Sequence, residues 1–376
     1  MKRFTAFFAA AAAAVSFIAA NIFPVGAQPS EPSVSAVSAV LINADTGGTI
    51  FEKNADEKRA VASTTKIMTA LLTLESGQLD RRFIVDSMAI RVEGTSMGLR
   101  EGDIVTRRAL CYGMLLPSGN DASNAAAVNI SGSLSAFAEK MNEKAAQLGM
   151  NDSHFVTPSG LDAPEHYSTA RDMAKLTRAA LKNEDFRAIC GLISATLEFG
   201  NPPYSRTLYN SNKLLKQYEG CIGVKTGFTD NARRCLVSAA ERDGVTLIAV
   251  TLNAPDDWSD HKKLFDYGFS MVNSQEISPE SVSVDIVGGT VREVTAAPES
   301  SAVVGLTASE AGEIRTEYRV PAFVYAEVSA GDCMGYVEIY YKEELLRSIP
   351  LLAERDCPRE AARQSLWERV RALFTG

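Results

Sequence analysis

The stretch ASTTKIMTA, residues 62–70, decides the fold because it joins a Ser-x-x-Lys pair to the start of an apolar periodic segment. Apolar residues then recur at helical spacing, and Gly77 is a typical helix stop. Residues three apart on a helix share a face, so the Lys66 amine can reach the Ser63 hydroxyl. This stretch alone leaves two interpretations open: Ser63 caps the helix, or Ser63 is a nucleophile with Lys66 as its base.

Two further motifs follow this pair along the chain. Residues 116–121 read LPSGND and supply Ser-x-Asn, and residues 223–227 read GVKTG and supply Lys-Thr-Gly on a predicted strand. Each motif by itself is explained by an ordinary turn or a strand end. In this order and context, however, the three are the elements of serine β-lactamases and penicillin-binding proteins, and together they predict an acyl-transfer site.

Over about residues 34–272, the chain resembles the low-molecular-mass penicillin-binding proteins, which are serine-type D-alanyl-D-alanine carboxypeptidases. The matching segments are ASTTKIMTA (62–70), SGNDA (118–122), GLD (160–162), HYSTARD (166–172) and GVKTGFTD (223–230). The resemblance implies release of the terminal D-alanine from peptidoglycan stem pentapeptides through an acyl-enzyme on Ser63. It also implies acylation of Ser63 by β-lactam antibiotics, which imitate that substrate, and it implies no cofactor.

The implied fold class is α/β, a serine β-lactamase/transpeptidase-like catalytic domain with an antiparallel sheet flanked by helices plus a helical subdomain. The residue pattern agrees, because strand-like runs near both ends enclose helical segments, as in a sheet built from both ends of a domain. We expect this domain at residues 36–273 and a small β-rich domain at residues 274–355, where β-forming runs are separated by Gly and Pro.

Lys66 can act as a base only when it is neutral, so its pKa must fall by several units from about 10.4. Burial would depress this pKa, and the positive charge of Lys225 would add to that effect. The N-terminus of the helix also favours the negative charge that develops on Ser63. The sequence therefore predicts a buried, electrostatically tuned Ser63–Lys66 pair.

The other motif residues receive roles from the same resemblance. Ser118 relays a proton between Lys66 and the leaving amine, and Asn120 either binds the substrate amide or orients Lys66. Lys225 supplies a fixed cation and Thr226 contacts the terminal carboxylate of the substrate. Gly227 and Phe228 complete the substrate-binding strand, and by family analogy the amides of Ser63 and Phe228 form the oxyanion hole.

One departure from the family concerns recognition of the carboxylate. Some relatives carry an arginine shortly before the closing helix that is thought to grip this group. The corresponding residues 253–261 read NAPDDWSDH and contain no arginine. Arg206, Arg233 and Arg234 are the candidates to replace it, or Thr226 and Lys225 suffice.

The N-terminus predicts export. Lys2 and Arg3 precede a long Ala/Phe-rich stretch, and Val25-Gly26-Ala27 forms a small-x-small cleavage site. This is the pattern of a signal peptide at residues 1–27, with an uncleaved membrane anchor as the alternative. Residues 28–35, rich in Pro and Ser, are interpreted as a linker. The remaining chain would then work at the extracytoplasmic face of the bacterial cell membrane.

At the other end, residues 358–376 predict an amphipathic helix that begins at Pro358. Its apolar positions, Trp367 among them, fall on one side, and arginines lie among the others. The segment is too short and too charged to span a bilayer, but it can lie in the membrane surface. A helix docked on its own domain is the alternative, and the family resemblance favours the membrane surface.

Composition excludes several other functions. The formal net charge of -8 gives no electrostatic case for binding nucleic acid. The six cysteines are scattered without a Cys-x-x-Cys motif or a nearby histidine, so a metal site is not predicted. Free thiols and at least one disulfide both stay open, with Cys221 and Cys235 as the first pair to check. The three histidines are interpreted as structural, with His166 the one nearest to the cleft.

Two other functions compete with the carboxypeptidase. A class A-type β-lactamase would need a deacylating glutamate with an asparagine four residues on, and no Glu-x-x-x-Asn occurs between Ser118 and Lys225. A non-catalytic wall-binding or scaffolding protein could share the fold, but the intact set of motifs argues against it. Endopeptidase action on cross-links is a variation of the leading hypothesis.

Overall fold

The computed structural model describes residues 16–17 and 30–361, and these form two compact units. Of the described residues, 30–274 and 305–307 belong to the larger unit, and 16–17, 275–304 and 308–361 belong to the smaller unit. Apart from residues 16 and 17, the predicted signal peptide lies outside the described residues. Most of the predicted C-terminal helix also lies outside them, at residues 362–376.

In chain order the elements are β1 (Ser16–Phe17), β2 (Ser38–Asn43), β3 (Thr49–Lys53), the 3-10 turn η1 (Ala62–Thr65), α1 (Lys66–Glu75), β4 (Arg82–Ile84), β5 (Ile104–Thr106), α2 (Arg107–Leu115), α3 (Asn120–Ser131), α4 (Leu134–Gln147), α5 (Ala170–Leu181), α6 (Glu184–Cys190), β6 (Ser194–Gly200), β7 (Pro203–Tyr209), α7 (Leu214–Gln217), β8 (Cys221–Thr229), β9 (Arg233–Arg242), β10 (Val245–Leu252), α8 (Asp257–Met271), β11 (Val272–Ile277), β12 (Val282–Val287), β13 (Glu293–Pro298), β14 (Ala302–Thr307), the 3-10 turn η2 (Ala311–Glu313), β15 (Ile314–Arg319), β16 (Val324–Tyr325), β17 (Cys333–Tyr341) and β18 (Glu344–Ala353).

The larger unit is built on a five-stranded antiparallel sheet in the order β3-β2-β10-β9-β8. All six residues of β2 are buried, because the strand is covered on both faces. Alternate residues of β2 serve two apolar clusters: Val40 and Ile42 face one, and Leu41 faces the other with Phe265 of α8. The α/β expectation is therefore confirmed, with helices on both faces of the sheet.

Helix α1 lies at the centre of the first cluster, among α2, α3, α5 and α6. Eight of its ten residues are buried, so the helix has almost no solvated face. The turn η1 precedes α1 directly and contacts β8 at the edge of the sheet. The core thus fixes the start of α1 against one particular edge strand, and the functional site is built there.

The smaller unit is all-β, as the sequence predicts. Its main sheet has the order β1-β15-β17-β18-β13-β12-β16, with antiparallel pairing except between β12 and β16. Val294, Val337 and Leu351 are fully buried at its centre. Strands β11 and β14 form a separate two-stranded sheet.

Three sequence-based expectations need correction or completion. The predicted helix does not begin at Pro358, because residues 358–361 are not helical and Arg359 forms an isolated bridge with Gly289. The predicted linker is anchored at its end: Val34 is buried, and the Ser35 hydroxyl donates to Asp260 at 2.7 Å. The β6–β7 hairpin was not predicted, although GNPP at residues 200–203 is a typical turn sequence.

All six cysteines are free. Cys221 and Cys235 cannot form a bridge because they stand at opposite ends of the β8–β9 hairpin, where Cys221 faces Ala240 and Cys235 faces Gly227. Burial raises the pKa of both thiols. No helix in the described part of the chain is long and apolar enough to cross a membrane.

Candidate active site

The hydroxyl of Ser63 is bonded to Lys66 rather than to a helix end. Ser63 lies in η1, and neither η1 nor α1 is capped by a side-chain hydrogen bond. The Lys66 amine lies 2.8 Å from the Ser63 oxygen, 2.7 Å from the side-chain oxygen of Asn120 and 2.6 Å from the carbonyl of Ser159. The capping interpretation of Ser63 is therefore wrong.

These three partners define what Lys66 can do when it is neutral. A carbonyl and an amide oxygen only accept hydrogen bonds, so Ser159 and Asn120 take the two N–H groups of a neutral amine. Ser63 is the only one of the three that can donate. The lone pair of the neutral amine must then face the Ser63 hydroxyl, which is the geometry of a general base.

The electrostatics favour the neutral amine. Lys66 is fully buried, and this burial lowers the pKa of Lys66 well below its ordinary value. The positive charge of Lys225 lowers it further, whereas the carboxylate of Asp121 opposes the shift. Burial and Lys225 are the two causes expected from the sequence, and both act in the expected direction.

The loop before α3 holds Ser118 and Asn120 at the cleft. Ser118 adopts a left-handed conformation, with φ of 68°, which an ordinary residue adopts at a cost. Its carbonyl accepts from the Thr95 hydroxyl, and the Asn120 amide nitrogen donates to the carbonyl of Glu93 at 2.7 Å. This second bond fixes the Asn120 amide so that its oxygen faces Lys66. The hydrogen bond that Lys66 donates to Asn120 corresponds to the second of the two roles considered for Asn120, orientation of the lysine.

Asp121 builds the wall behind this loop. Its carboxylate accepts from the backbone amides of Met97, Gly98 and Leu99 at 2.9 to 3.0 Å, and from the Ser96 hydroxyl. Four charge-assisted hydrogen bonds fix residues 96–99 against the start of α3. Asp121, which directly follows the Ser-x-Asn motif, thus holds residues 96–99 next to the loop that presents Ser118.

Strand β8 forms the opposite wall, and it is an edge strand. Phe228 stands opposite Arg234 on β9, whose carbonyl accepts from Ala254 on the far side. The N–H and C=O of one residue point to the same side of an antiparallel strand, so both of these groups in Arg234 point away from β8. Phe228 and Arg234 therefore form a non-hydrogen-bonded pair. The Phe228 N–H therefore points away from β9, towards the open edge where the expected oxyanion hole lies.

Gly227 allows this edge to approach Ser63. A Cβ atom on Gly227 would lie 3.1 Å from the backbone nitrogens of Ser63 and Thr64 and 3.1 Å from the Val61 carbonyl. Gly160 makes the matching approach from the other side, because its Cβ would lie 2.0 Å from the Ala62 carbonyl. Two glycines thus permit backbone to pack directly on η1, which leaves no freedom in the position of Ser63.

Lys225 is buried beneath the strand and donates to the carbonyl of Thr226 at 2.8 Å. Burial lowers the pKa of Lys225 to about 7. The expectation of a fixed cation therefore needs refinement, because near neutral pH this lysine carries a proton for only part of the time.

Ser211, which the motifs did not reveal, completes the site. The Ser211 hydroxyl is 2.8 Å from that of Thr226, and the Ser211 amide donates to the carbonyl of Leu116, so Ser211 links the two walls. His166 has a structural role: its Nδ1 accepts from the Val156 amide at 3.0 Å, so its Nε2 donates to the Thr65 hydroxyl at 2.9 Å. Burial lowers the pKa of His166 to about 4.

The walls enclose one cavity of about 460 Å³. Six of the eight predicted site residues line it: Ser63, Ser118, Asn120, Thr226, Gly227 and Phe228. The other two, Lys66 and Lys225, lie buried behind the lining. The structure thus brings together three motifs, the first and last of which are 162 positions apart from Ser63 to Lys225.

Comparison with known proteins identifies the family. Residues 26–256 match the family model described as D-alanyl-D-alanine carboxypeptidase. The chain belongs to this family. Residues 269–359 match a second model, described as the C-terminal domain of penicillin-binding protein 5. The function is accordingly that of a serine-type, penicillin-binding D-Ala-D-Ala carboxypeptidase, which is a hydrolase.

Individual family members agree along most of the chain. The D-alanyl-D-alanine carboxypeptidase DacF of Bacillus subtilis is 32% identical over 344 residues, which cover 88% of both proteins. The D-alanyl-D-alanine carboxypeptidase of Streptomyces sp. strain K15 is 37% identical, over 65% of this chain and 92% of the relative.

Solved structures of the carboxypeptidase family confirm the fold. The crystal structure of the Streptomyces K15 DD-transpeptidase aligns with a TM-score of 0.62 at 35% identity, over 65% of this chain and 100% of that one. The D-alanyl-D-alanine carboxypeptidase DacD from Francisella tularensis aligns with a TM-score of 0.63 at 25% identity, over 90% of this chain and 98% of that one. The second alignment extends well beyond the larger unit.

Proposed function

We propose that Ser63 is the nucleophile of this carboxypeptidase and Lys66 its general base. Neutral Lys66 removes the hydroxyl proton as the Ser63 oxygen attacks the carbonyl carbon between two D-alanines of a peptidoglycan stem pentapeptide. The oxyanion that forms accepts from the amides of Ser63 and Phe228. The observation that carries this proposal is the Lys66 amine, which is buried, depressed in pKa and 2.8 Å from Ser63.

The second half of the reaction returns the proton. The carbon–nitrogen bond breaks and the terminal D-alanine leaves after its amine has taken the proton from Lys66, relayed through the Ser118 hydroxyl. Water then attacks the ester carbonyl of the acyl-enzyme while Lys66 accepts a proton from it. The bond between the acyl carbon and the Ser63 oxygen breaks, and Lys66 returns the proton to that oxygen. Asn120 holds Lys66 in place throughout. Thr226 faces the carboxylate end of the substrate, and Lys225, buried behind the cavity lining, supplies positive charge nearby.

Mass spectrometry of the purified protein after incubation with penicillin tests the assignment. We expect a single covalent adduct on the peptide that contains Ser63, and none in the Ser63→Ala variant. A penicillin adduct that persists in Ser63→Ala would overturn the nucleophile, and folded protein that releases no D-alanine from a pentapeptide would overturn the activity.

Slow turnover of β-lactams is part of the proposal. Among the described residues that line the cavity, Asp257 is the single carboxylate, and it is bonded to Arg234 at 2.6 Å. No glutamate in this lining can activate a deacylating water, which agrees with the missing Glu-x-x-x-Asn motif. Steady hydrolysis of nitrocefin would favour a β-lactamase instead.

We also propose that the signal peptide at residues 1–27 exports the chain to the extracytoplasmic face of the membrane. The C-terminal residues 362–376 would then attach it to the membrane surface. The apolar and basic residues of this segment support the proposal. Sedimentation with anionic lipid vesicles, compared between the mature chain and a chain ending at residue 361, tests it; equal binding of the two would reject it.

A further inference from the structure

The segment before the closing helix lacks the arginine that some relatives carry there for the substrate carboxylate. Three other arginines of this chain were candidates to replace it. Arg206 is already engaged: its guanidinium donates to the carbonyls of Met97 and Gly98 and stacks over the ring of Tyr204 at 4.2 Å. Arg233 is exposed at the start of β9, and it does not line the cavity. The third candidate, Arg234, does line it.

Arg234 reaches the cavity from the strand next to the Lys-Thr-Gly motif. It stands directly opposite Phe228 in the β8–β9 pair, so the side chains of these two residues lie on the same face of the sheet. Thr226 is two residues before Phe228 and shares that face. The guanidinium therefore lies on the wall that carries the expected carboxylate contact, and it lines the same cavity as Ser63.

The hydrogen bonds of Arg234 are incomplete. One terminal nitrogen donates to Asp257 at 2.6 Å, whereas Nε is buried and has no partner among the described residues. A guanidinium has five N–H donors in a flat fork that matches a carboxylate. The Arg234 side chain is nevertheless 42% exposed, so the guanidinium can offer further charge-assisted hydrogen bonds to a carboxylate in the cavity.

Asp257 fixes the orientation of this fork. Its carboxylate is 4% exposed and also accepts from the Trp258 amide at 2.9 Å, in the first turn of α8. The guanidinium lies 5.7 Å from the centre of the Trp258 ring, so the group has a charged partner and an aromatic neighbour. Lys213 lines the same cavity, which leaves the surroundings positive despite Asp257.

We propose that Arg234, positioned by Asp257, binds the terminal carboxylate of the D-alanyl-D-alanine substrate together with Thr226. The carboxylate contact thus comes from β9 rather than from the segment before the closing helix. The inference rests on the proposed function, because it names the group that selects a free carboxylate over a blocked one. Arg234 is a binding residue in this scheme, and Asp257 acts only through it.

The test compares two substrates that differ only at this group, an N-acylated peptide ending in D-Ala-D-Ala and the same peptide ending in the amide. The measured quantity is the ratio of kcat/KM for the acid to kcat/KM for the amide. For Arg234→Gln we expect this ratio to fall about 10- to 100-fold, the range of a hydrogen-bonded charge pair. Arg233→Gln, the adjacent arginine outside the cavity, is the matched control and should leave the ratio unchanged.

Two further variants keep the inference falsifiable if Arg234→Gln does not fold. Arg234→Lys keeps the charge but loses the planar fork of donors, and Asp257→Asn loses only the positioning carboxylate. In both variants we expect the ratio of kcat/KM for the acid to kcat/KM for the amide to fall, but by less than in Arg234→Gln. An unchanged ratio in folded Arg234→Gln or Arg234→Lys would overturn the inference. A wild-type protein that releases no D-alanine from the acid peptide would overturn the proposed function instead, so the two failures are distinguishable.

Discussion

The close packing of Gly227 on η1 yields a prediction that can be worked from distances. A Cβ atom there would meet three backbone atoms at 3.1 Å, and comfortable contact begins at about 3.4 Å, so Gly227→Ala must move β8 or η1 by a few tenths of an ångström. Neither element can yield freely, because η1 leads into the buried helix α1. The shift widens the gap that separates the Ser63 amide from the Phe228 amide.

Loss of an entire oxyanion-hole donor costs about 100- to 1,000-fold in rate. A shift of a few tenths of an ångström weakens the donors without removing them, so we expect acylation by penicillin to slow about 10- to 100-fold. That corresponds to about 1.4 to 2.7 kcal/mol in the activation free energy. The assay is the second-order rate constant for labelling of Ser63 by a fluorescent penicillin, measured by stopped flow.

The control is Gly312→Ala in η2, where a Cβ atom would meet nothing within 4 Å. Thermal unfolding of both variants checks that each is folded at the assay temperature. If folded Gly227→Ala acylated within twofold of the unchanged protein, the reasoning that links this contact to the oxyanion hole would be refuted.

Three other predictions concern charge and hydrogen bonding. Because the pKa of Lys225 is about 7, the protonated fraction of this lysine falls as the pH rises. The value of kcat/KM for peptides with a free carboxylate should therefore decline above pH 7. The variant Lys225→Arg, which stays charged, should lack this decline. Ser211→Ala removes the hydroxyl partner of Thr226 and should raise KM about 2- to 10-fold with kcat nearly unchanged, as steady-state kinetics would reveal. Burial holds the pKa of His166 near 4, so between pH 6.5 and 4 the unfolded chain takes up a proton at this histidine that the folded protein does not. The free energy of unfolding should therefore fall by up to about 3 kcal/mol over that range. Urea unfolding measures this decline, which should be shallower in His166→Asn.

The residues of the proposed catalytic site could be brought together from the sequence because each belongs to a short motif with local meaning. Ser63 and Lys66 are three residues apart, and that spacing brings them together in any helical backbone. Lys225, Thr226 and Gly227 are consecutive on a strand. Burial of Lys66 was also predictable, since a base of this kind requires it, although the Ser159 carbonyl that holds the amine was not.

Ser211 and Arg234 could not be placed in the same way. Each depends on tertiary contacts: Ser211 needs Leu116 and Thr226 beside it, and Arg234 becomes distinct from Arg233 only through the register of β8 and β9. A shift of that register by one residue would turn Arg233 to the cavity face instead. Composition and spacing carry no record of that register.

Two elements of the fold were not predicted correctly. Pro358 suits the first turn of a helix, yet residues 358–361 are not helical, and Arg359 forms an isolated bridge with Gly289. The β6–β7 hairpin was missed although residues 194–199, SATLEF, alternate polar and apolar residues as a half-buried strand does. In the first case a tertiary contact outweighed the local preference, whereas in the second the local signal was present.

Strand β8 ends the five-stranded sheet at the cleft, and a protein usually protects such an edge from other chains. Here the edge stays open, since its outward main-chain groups are needed for binding. An extended peptide can therefore pair with β8 through its backbone, whatever its side chains are. Discrimination among wall peptides must then come from the two ends of the groove, the acyl carbonyl at Ser63 and the free carboxylate beyond Thr226. We therefore expect the proposed site to tolerate variation along the middle of its substrate and to be strict about how the chain terminates.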